Sequence, residues 1–453
     1  MSLSKKTEES ARAFWYGLIN FEHRLPTPDD FKLDRMRKLL ELVGNPEKQI
    51  KVVHVTGSKG KGSTCAMLAS VLSSAGLKTG LYTSPHLFQV EERFRLNGVN
   101  ITPNDLDAIL ERIQRVIGFP DCQDLGFMPT FFEVATIAAF IYFAEQNVDL
   151  AVLEVGLGGR LDSTNICNPL LSVITSISFD HERQLGPTLA HIACEKAGII
   201  KPATTVISGV TELQPKQVIQ EVASSLGSKL IQAGQDFNWV YQPGTYSFDS
   251  MVHPSVVVNT KQQSWDNLQL ALLGEHQAAN AALVIIIVEE LRRLGFSISD
   301  DAVRFGLLNT KWQARMQVVG ENPWVVVDCA HNIASALALV KTLKESFPQV
   351  PRVLLFGASS DKDIEGMFRE FSGIFNYAIF AQSINSPRAE KTEELARIWS
   401  KVCSSSSFQA ETLEKAAEKA FYLTPNPGIL CITGSVFLAG EITPILAKLI
   451  SPK

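Results

Sequence analysis

Short apolar runs alternate with longer helical patterns along most of the chain. The clearest runs are residues 51–56, 149–155 and 171–175, each rich in β-branched and other apolar residues. Such runs are typical of strands that are buried on both faces of a sheet. Residues 63–75 have a helical pattern that ends at Gly76, a residue favoured just beyond a helix C-terminus. The alternation predicts a doubly wound, mostly parallel sheet.

The region from residue 237 to residue 272 has a different pattern. Its short runs alternate polar and apolar residues and are separated by Pro, Gly and Asn. A period of two indicates strands with one exposed face. We therefore predict a small antiparallel addition to the first domain here, followed by a long helix over residues 277–294.

Residues 309–313 are predicted to be a linker, because a second alternating pattern begins after them. Its predicted strands are residues 324–328, 353–357, 378–381 and 429–433. The serine run at residues 404–407 is predicted to be a surface loop. The sequence thus predicts an α/β protein with a doubly wound N-terminal domain (1–308) and a smaller C-terminal Rossmann-like α/β domain (314–453).

The composition is that of a globular protein, with 45% apolar and 20% charged residues. A net charge of -5 gives no general attraction to nucleic acid or anionic membranes, and neither partner is expected. The longest apolar stretches, residues 137–144 and 281–288, are far shorter than the roughly 20 residues that cross a bilayer. The N-terminal region has no apolar signal-peptide segment. The seven cysteines are scattered singly, so we expect a cytoplasmic protein.

A glycine-rich loop lies between the first predicted strand and its helix, with the sequence Gly57-Ser58-Lys59-Gly60-Lys61-Gly62-Ser63. The backbone N–H groups of such a loop and the helix N-terminus attract phosphate. Lys61 would reach the β- and γ-phosphates of a nucleotide, and Ser63 would offer its hydroxyl to Mg²⁺. The match to GxxxxGK[ST] is imperfect, because Gly62 separates Lys61 from Ser63. A P-loop-type sheet is therefore predicted, with a plain glycine-rich turn as the alternative.

Further segments follow in an order that resembles one enzyme family. The loop is preceded by His54-Val55-Thr56, and the matching segments that follow are residues 82–87, 130–133, 154–165, 180–181, 195–199, 274–277, 328–332 and 433–435. Together they resemble the folylpolyglutamate synthase and dihydrofolate synthase family, in the superfamily of muramyl-peptide ligases. The segment EVGLGGRLDSTN at residues 154–165 is the most specific match. The resemblance covers nearly the whole chain and implies an ATP-dependent ligase.

The resemblance implies that Ser84, Glu154 and His181 bind Mg²⁺. Glu154 ends a predicted buried strand, where ligands of open α/β sheets bind and where a carboxylate is costly without a cation. An ordinary loop histidine is the alternative for His181. The family's matching lysine is carbamylated, so Lys196 is implied to be an N6-carboxylysine that helps hold the metal; an ordinary helix lysine is the alternative. Lys61, His181 and Lys196 are the implied catalytic residues.

The nucleotide site implied by the resemblance adds four residues to the glycine-rich loop. Asn280 would touch adenine, Arg315 and His331 the phosphates, and Asp328 the ribose, with ATP between the domains. An alternative for Asp328 is that it caps the following helix. One departure from the family is Cys329, where glycine is usual.

The folate site implied by the resemblance consists of Thr130, Phe131, Phe132, Glu133, Leu161, Asp162 and Ser163. An aromatic ring can stack on a flat pterin, and a carboxylate can pair with its aminopyrimidine edge. Core packing is the alternative for Phe131 and Phe132. Residues 29–31 are a further candidate contact.

The resemblance implies a bifunctional dihydrofolate synthase and folylpolyglutamate synthase. It would join L-glutamate to dihydropteroate and to tetrahydrofolate polyglutamates through an acyl phosphate, releasing ADP and phosphate. ATP and two Mg²⁺ ions are implied, with K⁺ as a further candidate, and a monomer is expected. The implied glutamate-ligase domain is residues 314–453, and the ATP- and folate-binding domain is residues 1–308.

Three other functions stay open at this point. The first is a folylpolyglutamate synthase without the dihydropteroate activity. The second is a muramyl-peptide ligase relative with another carboxylate acceptor. The third is a P-loop regulatory ATPase, although the metal and carboxylate motifs at successive strand ends argue against it.

Overall fold

The computed structural model describes residues 11–20, 33–118, 126–247, 251–348, 350–386 and 388–450. Contacts divide the chain into two compact units. The first runs up to Trp239 and also contains Val258–Asp266 and Ala279–Asn309; the second contains Val240–Val257, Asn267–Ala278 and the described residues from Thr310 onward. The domain boundaries drawn from the sequence stay a prediction.

The first unit is built on an eight-stranded sheet. Its strands are β1 (Val52–Thr56), β2 (Thr79–Tyr82), β3 (Phe94–Leu96), β4 (Val99–Asn100), β5 (Leu150–Glu154), β6 (Leu171–Ile174), β7 (Thr205–Ser208) and β8 (Leu230–Gln232). The order is β4-β3-β2-β5-β1-β6-β7-β8. The six strands from β2 to β8 in that order pair in parallel, whereas β3 pairs antiparallel with both β2 and β4. The predicted doubly wound, mostly parallel sheet is confirmed.

Residues 11–16 are helical, and nine further α-helices of the described chain belong wholly or largely to this unit. They are α1 (Leu33–Leu42), α2 (Lys61–Ser74), α3 (Pro103–Val116), α4 (Phe131–Glu145), α5 (Glu182–Leu185), α6 (Leu189–Ala197), α7 (Leu213–Ser225), α8 (Glu275–Arg293) and α9 (Asp300–Leu308). Helix α4 is apolar and buried nearly all round, and it forms the centre of a core that includes Trp15 and Phe94. A helix with no polar face must be covered by other elements, which explains its burial.

The predicted antiparallel addition consists of five short strands. They are β9 (Phe237–Gln242), β10 (Thr245–Tyr246), β11 (Met251–Val252), β12 (Ser255–Thr260) and β13 (Ser264–Gln269). Strands β10 and β11 pair antiparallel, and the other three form a sheet in the order β13-β12-β9. The alternating burial along β9 matches the period of two in its sequence.

The second unit contains a six-stranded sheet. Its strands are β14 (Gln317–Glu321), β15 (Trp324–Val327), β16 (Arg352–Phe356), β17 (Tyr377–Phe380), β18 (Ser406–Gln409) and β19 (Ile429–Thr433), in the order β14-β15-β19-β16-β17-β18. All pairs are parallel except β14 with β15. The helices are α10 (Ile333–Ser346), α11 (Ile364–Phe371), α12 (Thr392–Val402), α13 (Leu413–Leu423) and α14 (Val436–Ile450). The predicted smaller C-terminal α/β fold is confirmed.

One local prediction was wrong. The serine run at residues 404–407 was expected to be a surface loop, but β18 begins at Ser406 and pairs in parallel with β17. The strand lies at the edge of its sheet, where polar side chains are tolerated because one face stays in contact with water. Among the described residues, no helix combines the length and apolar character that a bilayer crossing requires.

Candidate active site

The glycine-rich loop follows β1 directly, and α2 begins at Lys61. Gly57 and Gly60 have positive φ angles of 154° and 85°. A Cβ atom added at Gly57 would lie 1.9 Å from Thr175 Oγ1, and one added at Gly60 would lie 2.3 Å from Asn280 Oδ1. Both positions therefore require glycine for backbone conformation and for space. Asn280 itself is buried against the loop.

Hydrogen bonds tie this loop to the segment after β6. Ser176 Oγ accepts from the backbone N–H of Lys59 at 3.0 Å, and Thr175 Oγ1 donates to the carbonyl oxygen of Lys59 at 2.5 Å. Ser58 Oγ donates to the carbonyl oxygen of Ser178 at 2.9 Å. The conformation of the loop is therefore fixed from the neighbouring strand end rather than by its own sequence alone.

Two lysines converge on one atom of the loop. Lys61 Nζ and Lys196 Nζ each donate to the carbonyl oxygen of Gly57 at 3.0 Å. Lys196 is only 3% exposed. Burial, and secondarily the positive charge of Lys61, lowers the pKa of Lys196 to about 7. A substantial fraction of this amine is therefore neutral at neutral pH.

An ion pair links the loop to His181. Lys59 Nζ contacts Asp180 Oδ2 at 2.7 Å, and His181 Nε2 lies 3.7 Å from Asp180 Oδ1. His181 has a positive φ of 52°, which is uncommon for a side chain of this type and turns the chain into α5. About half of its side chain is exposed. Sequence reasoning gave Asp180 no role, although its position directly before His181 at a strand end was the available signal.

Glu154 ends β5, next to β1 in the sheet. It is 5% exposed, and its Oε2 accepts from the backbone N–H of Ser84 at 3.2 Å. The loop that carries Ser84 is anchored by Glu92, whose carboxylate accepts from three successive backbone N–H groups over residues 87–89. The structure therefore brings together two of the three predicted metal ligands, Ser84 and Glu154.

A pocket at the carboxyl ends of β1 and β5 collects most of these groups. It is lined by Thr56, Gly57, Ser58, Lys61, Val155, Gly156, Leu157, Gly158, Asp180, His181 and Lys196. The carboxyl ends of parallel strands are where open α/β sheets bind their ligands. The predicted residues Ser58, Lys61, His181 and Lys196 thus face a common space.

Two of the predicted folate residues meet at Gly156, a lining residue of the pocket. A Cβ atom added there would lie 2.7 Å from Phe132 Cζ and 3.3 Å from Asp162 Oδ2. Asp162 is buried, and its Oδ2 accepts from the backbone N–H groups of Gly156 and Leu157 at 3.1 and 3.0 Å. Burial raises the pKa of the Asp162 carboxyl. The Asp162 carboxylate therefore joins the two ends of the loop from Gly156 to Asp162, next to Phe132.

The other predicted folate residues have mixed positions. Phe131 is buried and stacks on Trp15, with the ring centroids 4.5 Å apart. Thr130 and Glu133 form a capping box at the start of α4. Leu161 and Ser163 are half-buried. Residues 29–31 lie outside the described residues.

Two of the predicted nucleotide residues of the second unit, Asp328 and His331, follow β15, and the third, Arg315, precedes β14. Asp328 Oδ2 accepts from the backbone N–H of Met316 at 3.0 Å. Ala314 and Met316, on either side of Arg315, have positive φ angles of 51° and 48°. His331 Nδ1 is 2.9 Å from the carbonyl oxygen of Cys329; a carbonyl only accepts, so Nδ1 carries the proton.

The alternative role considered for Asp328 was wrong. Asn332, not Asp328, caps α10, because Asn332 Oδ1 accepts from the backbone N–H of Ser335 at 2.9 Å. The departure at Cys329 is tolerated, because its backbone is not left-handed. Its thiol is buried, which raises its pKa to about 11.

Comparisons with known proteins match both units. The family model of the Mur ligase middle domain matches residues 55–288, and that of the Mur ligase glutamate ligase domain matches residues 314–436. The dihydrofolate synthase/folylpolyglutamate synthase of Bacillus subtilis is 37% identical over 368 residues, which is 80% of this chain and 83% of that protein. The chain belongs to the folylpolyglutamate synthase/dihydrofolate synthase family of Mur ligases.

Solved structures of this family have the same fold. The folylpolyglutamate synthase of Thermotoga maritima has a TM-score of 0.84 at 31% identity, covering 99% of this chain and 98% of that one. The E. coli FolC structure in complex with DHPP and ADP has a TM-score of 0.83 at 28% identity, covering 98% of each chain. Members of the Mur ligase family are ATP-dependent ligases, and this chain is therefore an ATP-dependent ligase.

The side chains at the candidate site determine which metal ion it could hold. Among the described residues, no group of three or more His, Cys, Asp or Glu side chains is arranged to hold a metal ion. The three predicted Mg²⁺ ligands include only two such side chains, Glu154 and His181. The third ligand is the hydroxyl of Ser84. Carboxylate and hydroxyl oxygens are donors that Mg²⁺ accepts alongside nucleotide phosphates and water. The residues therefore fit Mg²⁺ that is shared with a nucleotide.

Proposed function

We propose that this enzyme is a bifunctional dihydrofolate synthase and folylpolyglutamate synthase. It joins L-glutamate to dihydropteroate and to tetrahydrofolate polyglutamates. The observation that carries the proposal is the meeting of Phe132 and Asp162 at Gly156, which also lines the pocket of Lys61 and Lys196. A flat ring beside Phe132 would thus lie next to the groups that handle phosphate.

The names of the relatives support the same acceptor class. Relatives from Bacillus subtilis and E. coli carry both synthase names, whereas a Lacticaseibacillus casei relative, 32% identical over 363 residues, is named folylpolyglutamate synthase alone. That relative is matched over 78% of this chain and 82% of its own length. The proposal of two activities therefore requires a direct test of both acceptors, dihydropteroate and tetrahydrofolate.

The reaction begins at the acceptor carboxylate. One carboxylate oxygen attacks the γ-phosphorus of ATP, the bond to the ADP oxygen breaks, and an acyl phosphate forms. The glutamate amine then attacks the acyl carbon, the C–N bond forms, phosphate leaves and the amine proton passes to solvent. Transfer of this kind depends on positioning and on neutralising charge.

Lys61 supplies positive charge to the transferring group. Its Nζ would exchange the Gly57 carbonyl oxygen for a phosphate oxygen, a stronger acceptor because it is charged. The remaining phosphate contacts come from Ser58, Lys59, Gly60, Gly62 and Ser63 of the loop. Asn280, buried against Gly60, belongs to the same nucleotide site.

Arg315, Asp328 and His331 are proposed nucleotide contacts of the second unit. The hydrogen bond from the backbone N–H of Met316 to Asp328 ties the segment of Arg315 to the segment of Asp328 and His331. The guanidinium of Arg315 matches phosphate oxygens, and the Asp328 carboxylate can accept from a ribose hydroxyl.

Ser84, Glu154, His181 and carbamylated Lys196 would hold Mg²⁺, with two ions and K⁺ as a further cation. Bound Mg²⁺ supplies a Lewis acid that offsets negative charge on the phosphates. Carbamylation requires the neutral amine, which attacks CO₂ and loses a proton to give N6-carboxylysine. The low pKa of Lys196, about 7, supports this modification because it provides that amine near neutral pH.

The folate site is proposed to consist of Thr130, Phe131, Phe132, Glu133, Leu161, Asp162 and Ser163. Phe132 and Asp162 carry the proposal; Phe131, Thr130 and Glu133 would act by fixing the start of α4. The enzyme is proposed to act as a cytoplasmic monomer.

The decisive experiment measures Mg-ATP-dependent incorporation of labelled L-glutamate with dihydropteroate and tetrahydrofolate offered in parallel. Incorporation into both acceptors is expected. Incorporation into tetrahydrofolate alone would leave a polyglutamate synthase and remove the dihydropteroate activity. Incorporation into neither, with ATP still bound, would contradict the folate assignment, and muramyl-peptide acceptors would be tested next.

A further inference from the structure

Two side chains of β1 reach the loop that follows β5. His54 and Thr56 are two residues apart, so they lie on the same face of the sheet. Thr56 Oγ1 donates to the carbonyl oxygen of Gly158 at 2.6 Å. His54 is fully buried, and its Nε2 lies 2.8 Å from Thr164 Oγ1. The strand that precedes the phosphate loop therefore also contacts the segment after β5, part of which lines the pocket.

The contact of His54 continues through two more side chains. Thr164 Oγ1 donates its only proton to Asp162 Oδ1 at 2.5 Å, so it must accept from His54 Nε2–H. Asp162 Oδ2 in turn accepts from the backbone N–H groups of Gly156 and Leu157. The series runs from the centre of β1 to the backbone that lines the pocket.

The direction of these hydrogen bonds fixes the form of the imidazole. The proton is on Nε2, and Nδ1 is a buried atom with no hydrogen-bond partner within the part of the chain that the structure describes. Burial, with a smaller effect of the Lys201 charge, lowers the pKa of His54 to about 3, so the ring is neutral. Because the imidazole is neutral and its one N–H donates to Thr164, His54 is suited to hold its neighbours in position and not to transfer protons.

We propose that His54 is a positioning residue that, through Thr164 and Asp162, holds Gly156 and Leu157 at a fixed distance from the phosphate loop. The proposal rests on the proposed function in one respect, that Gly156 borders the acceptor. Reacting atoms must approach to about 3–3.5 Å, so a small displacement of this wall slows the transfer. Phe132 packs against Gly156 and would move with it.

The test compares Thr164→Val, which removes the hydroxyl at nearly constant volume, with Thr164→Ser, which keeps it. Hydrogen–deuterium exchange of the Gly156 and Leu157 amides is measured in the full-length protein. Exchange at least about 10-fold faster is expected in Thr164→Val, with wild-type exchange in Thr164→Ser, because freed amides open more often. Wild-type exchange in Thr164→Val, or equal acceleration in both variants, would overturn the proposal.

The same variants have a kinetic readout. In Thr164→Val, kcat/KM for the folate acceptor is expected to fall about 10- to 100-fold, while the Kd for ADP changes less than about twofold. His54→Leu should lower kcat/KM by a similar factor. His54→Gln should retain much of the activity, because its amide N–H can donate to Thr164. The double variant His54→Leu/Thr164→Val should be no less active than either single variant. Additive losses, or an equal loss of ADP affinity, would contradict a shared positioning role.

A measurement on the wild-type protein tests the proposal even if the variants do not fold. Nitrogen-15 NMR of the imidazoles should show His54 as the neutral Nε2–H form from pH 5 to 8; a proton on Nδ1 would reverse the hydrogen bonds and overturn the proposal. The NMR, exchange and ADP measurements need no folate. If wild-type enzyme fails to incorporate glutamate, the proposed function fails while these three measurements still decide the role of His54.

Discussion

Lys61 and Lys196 donate to the same atom, the carbonyl oxygen of Gly57, each over 3.0 Å. Two ammonium groups on one uncharged oxygen repel each other, and burial leaves little water to screen them. The lower charge state of Lys196 relieves this repulsion, which is the second cause of its lowered pKa. Conversion of Lys196 to a carbamate would replace the repulsion by attraction and leave one ammonium group, that of Lys61, on the Gly57 carbonyl oxygen.

Replacement of Lys61 by Ala is expected to reduce glutamate ligation by at least about 100-fold, because charge on the transferring phosphate loses its partner. The fold should be retained, since Lys61 is the first residue of α2 and its side chain donates a hydrogen bond to the carbonyl oxygen of Gly57, in the adjoining loop. Steady-state kinetics with a circular dichroism spectrum would check both. The exposed Lys38→Ala on α1 is the matched control. Unchanged turnover in Lys61→Ala would contradict the phosphate-loop assignment.

Replacement of Lys196 by Ala tests the carbamate. Activity is expected to be largely lost, and a short carboxylate such as acetate or formate should restore part of it by occupying the space of the carbamate oxygens. The measurement is turnover against carboxylate concentration, with chloride at equal ionic strength as the control. Full activity without any added carboxylate would remove Lys196 from the site.

The pKa of Lys196 also predicts a pH dependence of stability. Its folded pKa of about 7 lies below the ordinary lysine value of 10.5. Between these values the unfolded chain binds more protons, so the free energy of unfolding should rise with pH from about 7 to 10.5, by on the order of 1 kcal/mol per pH unit. Below pH 7 the full cost of burying the charge is present.

Urea unfolding of the wild-type protein and Lys196→Met in CO₂-free buffers measures this effect. The stability difference between the two proteins should shift in favour of the wild type as pH rises through the window. Lys38→Met controls for the loss of one positive charge at an exposed site. If the free energies of unfolding of the wild type and Lys196→Met changed with pH in parallel, the pKa of Lys196 would not differ between the folded and unfolded states.

Gly156→Ala tests the folate side of the pocket. The new Cβ would lie 2.7 Å from Phe132 Cζ, so the ring must shift although the backbone is not strained. KM for the pterin acceptor is expected to rise about 10-fold with little change in KM for ATP. A Phe132→Leu change in the Gly156→Ala background should recover stability without recovering acceptor affinity. Equal changes in both KM values would argue against a folate contact here.

The Lys59–Asp180 ion pair predicts coupling between the phosphate loop and His181. Both side chains are partly buried, so a double-mutant cycle with Lys59→Met and Asp180→Asn should give a coupling of about 0.5–1 kcal/mol in stability. ATP affinity should fall in either single variant. Strict additivity of the two changes, in stability and in ATP affinity, would mean that the pair does not link these segments.

The sheet and the phosphate loop could be predicted because their signals are local. Continuous apolar runs predicted β1, β5 and β6, and the glycines marked the turn into α2. Which of Phe131 and Phe132 is buried could not be predicted, since adjacent helical residues point about 100° apart and the direction of the core depends on packing with Trp15. The helix cap at Asn332 rather than Asp328 likewise depends on where α10 begins.

The position of Asp162 was also beyond sequence reasoning. A carboxylate in a candidate folate segment suggests a ligand contact, and the sequence gives no sign that its two oxygens also accept from Gly156, Leu157 and Thr164 of its own loop. Such a role depends on a turn whose geometry is set by distant residues, including His54 on β1. The edge strand β18 was missed for a similar reason, because its pairing with β17 outweighs its polar sequence.

The central position of β1 has a consequence for how the enzyme folds. Val53 pairs with Val152 on one side and with Leu171 on the other, so the two neighbours of this strand come from distant parts of the sequence. Pairings over such separations form slowly, because a long loop must close before they stabilise the chain. The nucleotide-binding surface therefore matures only when the middle of the sheet is complete, and nucleotide would favour completed molecules over partly folded ones.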